Sequence, residues 1–278
     1  MELVVQVRRI DDPASETDEY RVLIGRIWPE GISSAQVHVD QWMKDLSPSE
    51  VLLQKSNSFS EFCAAYQKEL RADEKKRRCI IQLLEKAQNH RVTLLHVEEA
   101  SSKAQATVLQ NFVKTVPLPK ILVLFASEMG NTLAIAQEMA KGVRQAGIIP
   151  EVKDAFGATI DDIKKFDAFL FGSGTTGDGE LPDEAQDIYD DLDELDLKGM
   201  PCAVFGAGDT SYELYCEAVN TIHSKLVELG GDLILPDFKV DFSMSEEEEK
   251  QALQLGKQFA ETLWDRSIQK NTQQISIR

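Results

Sequence analysis

From residue 120 to the end, short apolar runs alternate with amphipathic stretches. The runs at 120–126, 149–154, 167–173, 200–206 and 231–240 have the length and content of buried strands. Apolar positions at helical spacing fill 131–146, 160–165, 183–194, 213–229 and 246–264. Five strands alternating with five helices predict an α/β fold, a doubly wound parallel sheet covered on both faces. Ligands in such sheets sit beyond the carboxyl ends of the strands. Before residue 117 the pattern is less regular. Segments 3–10, 22–28 and 92–97 read as strands, and 37–45, 59–71, 74–89 and 101–114 as helices, which predicts a smaller α/β domain. Two prolines one residue apart in 115–120 (TVPLPK) disfavour helix and mark a joint. The expected organisation is a first domain over 1–116, a linker at 117–120, a second domain over 120–266 and an unpatterned polar tail over 267–278.

The chain has 278 residues, 42% of them apolar, enough for two cores. No apolar run approaches the length of a membrane span and the first residues lack a signal-peptide layout, so a cytoplasmic protein is expected. Cys63, Cys79, Cys202 and Cys216 are scattered, which predicts reduced, buried thiols rather than a disulfide framework or a metal site. His38, His90, His96 and His223 are equally dispersed and read as structural residues. The charge is uneven: of the net −17, residues 1–117 carry −1 and residues 118–278 carry −16. Such a field disfavours nucleic acid and anionic membranes and attracts a basic protein surface. Part of it lies in 183–196 (DEAQDIYDDLDELD), which holds eight acids.

Three loops follow strand ends in the second domain. The first, SEMGNT, comprises Ser127, Glu128, Met129, Gly130, Asn131 and Thr132 at the start of a helix. Small polar residues and a glycine there let successive backbone N–H groups surround an anion, where the helix dipole also favours negative charge. It has no lysine, unlike loops built for di- or triphosphates, so it suits one phosphate held by neutral donors. The second, 173–182 (SGTTGDGELP), carries three glycines that let backbone approach a flat ligand. The third, 206–216 (GAGDTSYELYC), places Tyr212 and Tyr215 after a glycine-rich turn, and tyrosine offers a flat face for stacking.

These three motifs, in this order and on this pattern, resemble flavodoxin. SEMGNT is similar to the flavodoxin phosphate loop [ST]-x-[ST]-G-x-T, and GTTGDGELPDE and FGAGDTSYELYCEAV to its two ring-binding loops. The third loop is also similar to the FMN domain of the sulfite reductase flavoprotein. The absence of a long insertion in 231–240 fits a short-chain type. The resemblance implies a five-stranded sheet of order 2-1-3-4-5 and FMN as cofactor. It implies phosphate binding by Ser127 to Thr132 and ring contacts from Gly174, Thr175, Thr176, Gly177 and Asp178. Tyr212 is implied to stack on the other side, with Ala207, Gly208, Asp209, Tyr215 and Cys216 completing the wall. Two departures stand out: Met129 replaces a hydroxyl residue and Thr176 replaces an aromatic one, which predicts weaker FMN binding and a more accessible ring edge. Carboxylates nearby disfavour a second negative charge on the ring, and a Gly177–Asp178 peptide free to flip offers its carbonyl to ring N5 when that is protonated. Both favour one-electron shuttling between a reductase and an acceptor protein, each with a basic face.

The first domain is similar to the YeaO-like domain of unknown function. That family's D-R-L-W-P-R-G block reads here as GRIWPEG (25–31), and its His-containing stretch before the last helix is replaced by SSKAQ (101–105). Any site of that family is therefore expected to be eroded. Trp28 and Trp42 then read as packing residues, and Lys75-Lys76-Arg77-Arg78 as a solvated helix face able to meet an acidic neighbour. The leading expectation is an electron carrier with an accessory N-terminal domain. Two others stay open: an FMN-dependent reductase of quinone-type small molecules, which the missing aromatic at Thr176 favours, and a non-redox binding module that has lost its flavin.

Overall fold

The computed structural model describes residues 3–15, 18–33, 37–55, 58–97 and 100–270. They form two units, one of residues 1–117 together with the stretch from Asp265, the other of Leu118–Trp264. No helix among the described residues is long and apolar enough to cross a membrane.

The first unit contains β1 (Val5–Arg9), β2 (Tyr20–Leu23), β3 (Gln41–Trp42), α1 (Glu50–Lys55), α2 (Phe59–Ala72), α3 (Glu74–Asn89), β4 (Val92–His96) and α4 (Ala100–Thr115). Its four strands are all parallel, in the order β1-β4-β2-β3. β4, in the interior of the sheet, is buried throughout. Beside it the buried Arg21 guanidinium donates to Asp18 (2.7 Å) and to the His38 carbonyl (2.8 Å), so a charge inside the unit is paired and hydrogen-bonded.

Residues 37–45 are not the expected helix. Gln41–Trp42 pairs in register with Val22–Leu23, and a 3-10 turn covers Lys44–Leu46. Asp40 N–H donates to the Arg21 carbonyl and Met43 N–H to that of Leu23 (2.9 Å each), so pairing along the sheet edge overrides local helical spacing. The strand expected at 22–28 stops at Leu23, and α1 had no expectation. The basic run on α3 is also corrected. Lys76 is buried and donates to the carbonyls of Asp45 (3.1 Å) and Ser47, and Arg77 pairs with Asp265; Arg78, paired with Glu74, stays at the surface.

The second unit follows the predicted alternation. It runs β5 (Ile121–Ala126), α5 (Asn131–Gln145), β6 (Glu151–Asp154), α6 (Ile160–Ile163), β7 (Ala168–Ser173), α7 (Asp183–Asp191), β8 (Pro201–Gly208), α8 (Glu217–Glu228), β9 (Asp232–Leu233), β10 (Phe238–Asp241) and α9 (Glu246–Lys270). The sheet is parallel, in the order β10-β8-β7-β5-β6, with β9 also on β8. Counting strands from β5, that is 2-1-3-4-5. Leu122, Leu124, Phe169, Phe171 and Val204 pack with Ile160, Ile188, Val219 and Ile222 of α6, α7 and α8. Alternation along the strands turns Val123 and Leu170 to the other face, where α5 packs, with α9 against it. Those two helices cross at glycines: a Cβ on Gly142 would stand 2.7 Å from Lys257 N, and one on Gly256 would stand 2.8 Å from Met139 Cα.

Three boundaries differ from expectation. The strand expected over 231–240 is split into β9 and β10, because Pro236 between them has no N–H for the ladder. α8 starts at Glu217 rather than 213, because Cys216 takes the left-handed conformation (φ 50°). The polar tail was expected from 267, yet α9 continues to Lys270: Ala260, Trp264 and Ile268 recur every four residues and all are buried. The remainder of the predicted tail, 271–278, lies outside the described residues.

Candidate functional site

The three loops leave the carboxyl ends of β5, β7 and β8, three adjacent strands of one sheet. The first loop turns into α5 at Gly130, whose φ of 85° suits a residue without a Cβ. No side chain caps this helix. The backbone N–H groups of Glu128, Met129 and Gly130 meet no acceptor among the described residues. Thr132 is buried in the first turn and Met129 is 77% exposed. A row of uncommitted N–H groups on a helix N-terminus, flanked by the hydroxyls of Ser127 and Thr132, offers donors of the kind a monoester phosphate accepts from.

The second loop closes on itself. Thr176 and Glu180 exchange backbone hydrogen bonds (3.0 and 2.8 Å), with Gly177 (φ 50°) and Gly179 (φ 92°) inside the turn. The peptide joining Gly177 to Asp178, at the tip, makes no hydrogen bond to the described chain. Two bonds fix the loop to its neighbours: Gly174 N–H donates to the Ala126 carbonyl (3.2 Å), and the Thr175 hydroxyl accepts from Ala218 N–H (3.2 Å).

The third loop is held from below and from the side. Asp209 accepts from Ser211 N–H (2.8 Å), and Tyr212 N–H donates to the Asp209 carbonyl (3.1 Å). The Asp241 carboxylate at the end of β10 accepts from the Thr210 hydroxyl (2.6 Å) and N–H (3.0 Å), and these bonds hold its pKa below the usual carboxylate value. Gly208 is close-packed: a Cβ there would stand 2.7 Å from Cys216 N and 2.8 Å from its sulfur. Tyr212 is 67% exposed, leaving its ring free for a ligand.

Together the loops bound a cavity of about 490 Å³, within the range of small-molecule sites. All the predicted site residues line it except Gly130, which only shapes the first loop, and Tyr215, whose ring packs on the core. Burial raises the Tyr215 pKa, as it does that of Cys216, which lies buried in the cavity wall. Pro182, Leu214 and Phe242 also line the cavity and were not predicted. Leu214 was legible as an apolar residue between the two tyrosines, whereas Phe242 sits far along the chain, past β10. Among the described residues no lysine or arginine lines the space, and Glu128, Asp178 and Asp209 do. The donor set therefore fits FMN: neutral donors for one phosphate at one end, and glycine backbone with Tyr212 for a flat ring at the other.

The first unit has its own opening of about 710 Å³ near the carboxyl ends of its strands. Its cations are committed: Arg9 to Asp11 (2.8 and 2.6 Å), and Arg26 to Glu50 (2.5 Å) and the Pro48 carbonyl (2.6 Å). Trp28 meets Trp42 edge-on at 5.7 Å, and both indole N–H groups donate to carbonyls, of Ile32 and Gly25, as packing residues do. The cysteines are free. Cys202 and Cys216 are buried as expected, and Cys63 and Cys79 are only half-buried. The histidines are dispersed, and the described residues contain no cluster of three or more metal-ligating side chains.

Residues 4–117 match a family model described as the inactive DUF488-N3 subclade, and residues 123–256 match the model described as Flavodoxin. Probable flavodoxin 2 of Bacillus subtilis is 42% identical over 146 residues, covering 51% of this chain and 95% of that protein. The crystal structure of oxidised flavodoxin 2 from Bacillus cereus superposes with a TM-score of 0.50 at 38% identity, over 51% of this chain and 99% of that one. The sulfite reductase [NADPH] flavoprotein alpha-component of Vibrio cholerae is 31% identical over 142 residues, which are 49% of this chain and 23% of that protein. With its sheet order, its loops and a relative matched over nearly its whole length, the chain belongs to the flavodoxin family, through its C-terminal unit.

Proposed function

We propose that this chain is an FMN-binding electron-transfer protein of the cytoplasm, whose C-terminal unit shuttles single electrons between a reductase and an acceptor protein. The first unit acts as an accessory domain for docking or regulation. One observation carries the reading: uncommitted N–H groups on the α5 N-terminus share a cavity with Tyr212 and the Gly177–Asp178 turn, and the described lining holds no lysine or arginine. When bound, FMN supplies a ring that takes up and releases electrons one at a time. The chain's own residues do the rest. Glu128 to Gly130 offer their N–H groups, and Ser127 and Thr132 their hydroxyls, to the phosphate. Tyr212 offers a flat face to the ring. Glu128, Asp178 and Asp209 make further negative charge in the cavity unfavourable. The Gly177–Asp178 peptide, which makes no hydrogen bond to the described residues, can turn its carbonyl toward a protonated ring nitrogen without breaking one. The −16 of residues 118–278 attracts partners with basic faces, speeds their encounter at low salt and disfavours nucleic acid and anionic membranes.

The test is to add FMN to the purified chain, desalt it, and photoreduce it in steps while recording the visible spectrum. A retained flavin band that is reduced in two resolved one-electron steps supports the carrier. NADPH should reduce the bound flavin only when a separate reductase is present. Direct NADPH oxidation by the pure chain would move the reading to a small-molecule reductase, and a colourless desalted protein would end it.

A further inference from the structure

We infer that Phe242 is a ring-side contact of the flavin, an aromatic group held at the β10 edge of the cavity to grip the flat end of the ligand; this rests on the FMN reading above. Two residues other than glycine take a left-handed backbone among the described ones, Cys216 (φ 50°) and Phe242 (φ 61°). Such a backbone is disfavoured for any residue with a Cβ. Cys216 is fully buried, and its side chain is part of the core. Phe242 has no such burial: it is 53% exposed. A phenyl ring half in water on a strained backbone is unfavourable twice over in the free protein.

The surroundings nonetheless fix this residue. Its N–H donates to the Gly208 carbonyl at 2.7 Å. The preceding residue, Asp241, is bonded to Thr210 in the loop that carries Tyr212. The strained turn is thereby anchored to the third loop at two successive residues, and Phe242 lines the cavity. Tyr212 and Phe242 are the aromatic side chains in that lining, and Thr176 supplies none from the second loop.

The sheet order says which end of the ligand Phe242 serves. In β10-β8-β7-β5-β6, β10 lies three strands from β5, where the phosphate loop begins. At about 4.8 Å per strand that is roughly 14 Å. Phe242 is therefore remote from the phosphate donors and close to the loop that presents Tyr212.

The experiment titrates the full-length apoprotein with FMN and, separately, with riboflavin, which lacks the phosphate, following the quenching of flavin fluorescence. Phe242→Gly is expected to weaken both ligands by the same factor, about tenfold for the loss of one aromatic contact. Phe242→Tyr should stay within about twofold of the parent, because the ring is kept. The thermal midpoint of Phe242→Gly apoprotein should be no lower than that of the parent, since glycine accepts a φ of 61° without strain. A Phe242→Gly protein with unchanged affinities overturns the inference. So does weakening of FMN alone, which would place the residue on the phosphate side, and so does a fall in apoprotein stability, which would make the role structural. A parent protein that binds neither flavin overturns the FMN reading, and this inference with it.

Discussion

Gly208→Ala tests how tightly the third loop is built. The added methyl would stand 2.7 Å from Cys216 N, 2.8 Å from its sulfur and 3.2 Å from its Cα. Ordinary carbon contacts begin near 3.5 Å, so β8 and the start of α8 must part by roughly 0.8 Å. Two of those three neighbours are backbone atoms, so no rotamer change relieves the clash. Overpacking of this kind costs about 1–3 kcal/mol. The lower entropy of unfolded alanine relative to glycine offsets about 0.4–1 kcal/mol of that. The net is about 1–2 kcal/mol, or about 2–8 °C in midpoint for a unit of this size. Gly174→Ala is the matched control, because its new methyl would meet nothing closer than Thr132 Oγ1 at 3.7 Å. The assay is thermal unfolding of the apoproteins by circular dichroism. Gly208→Ala should melt below the parent and Gly174→Ala at or slightly above it. Equal midpoints for Gly208→Ala and the parent, or a lower midpoint for Gly174→Ala than for Gly208→Ala, would refute the packing argument. Because the strained segment carries Tyr212, FMN affinity should fall with stability in Gly208→Ala.

Met129 is 77% exposed, so Met129→Thr removes no core contact and restores a hydroxyl to the phosphate loop. A hydrogen bond to a charged partner contributes about 1.5–3 kcal/mol before ordering costs, so FMN should bind about tenfold more tightly and riboflavin no differently in the same fluorescence titration. Asp162 is held well below the ordinary carboxylate range, first by Lys153 (2.5 Å), then by Lys165 (2.8 Å) and the Thr159 N–H. A lowered folded-state pKa means that its stabilisation is present above the unfolded value, about 3.9, and is lost as pH falls below it. Urea midpoints measured between pH 5 and pH 3 should therefore decline less steeply in Asp162→Asn than in the parent; parallel declines would remove Asp162 from the account of acid lability.

Much of the second unit was legible in the chain because each local signal agreed with the next. Buried runs such as 121–126 and 168–173 are apolar on both faces, which only a covered parallel strand requires. The loops were legible because glycine and small hydroxyl residues at strand ends have few other uses. The signals failed where distant partners decided the conformation. Residues 37–45 look helical until β2 offers an edge, and Lys76 looks solvated until the carbonyls of Asp45 and Ser47 surround its ammonium. Past Trp264, α9 looks polar because Ile268 alone continues the buried stripe of Phe259, Ala260, Leu263 and Trp264 among the described residues.

By itself, the sequence determined the α/β alternation and the three strand-end loops, the first of them without a lysine or arginine, since each depends on residues within a few positions of one another. Tertiary structure alone decided which side chains share the cavity. Tyr215 turns into the core while Tyr212, three residues away, faces the ligand space. Phe242 reaches that space because β10 pairs with β8, a register no local pattern encodes. Local chemistry is written in neighbours along the chain, but a binding site is assembled by strand order, which depends on the packing of the whole sheet.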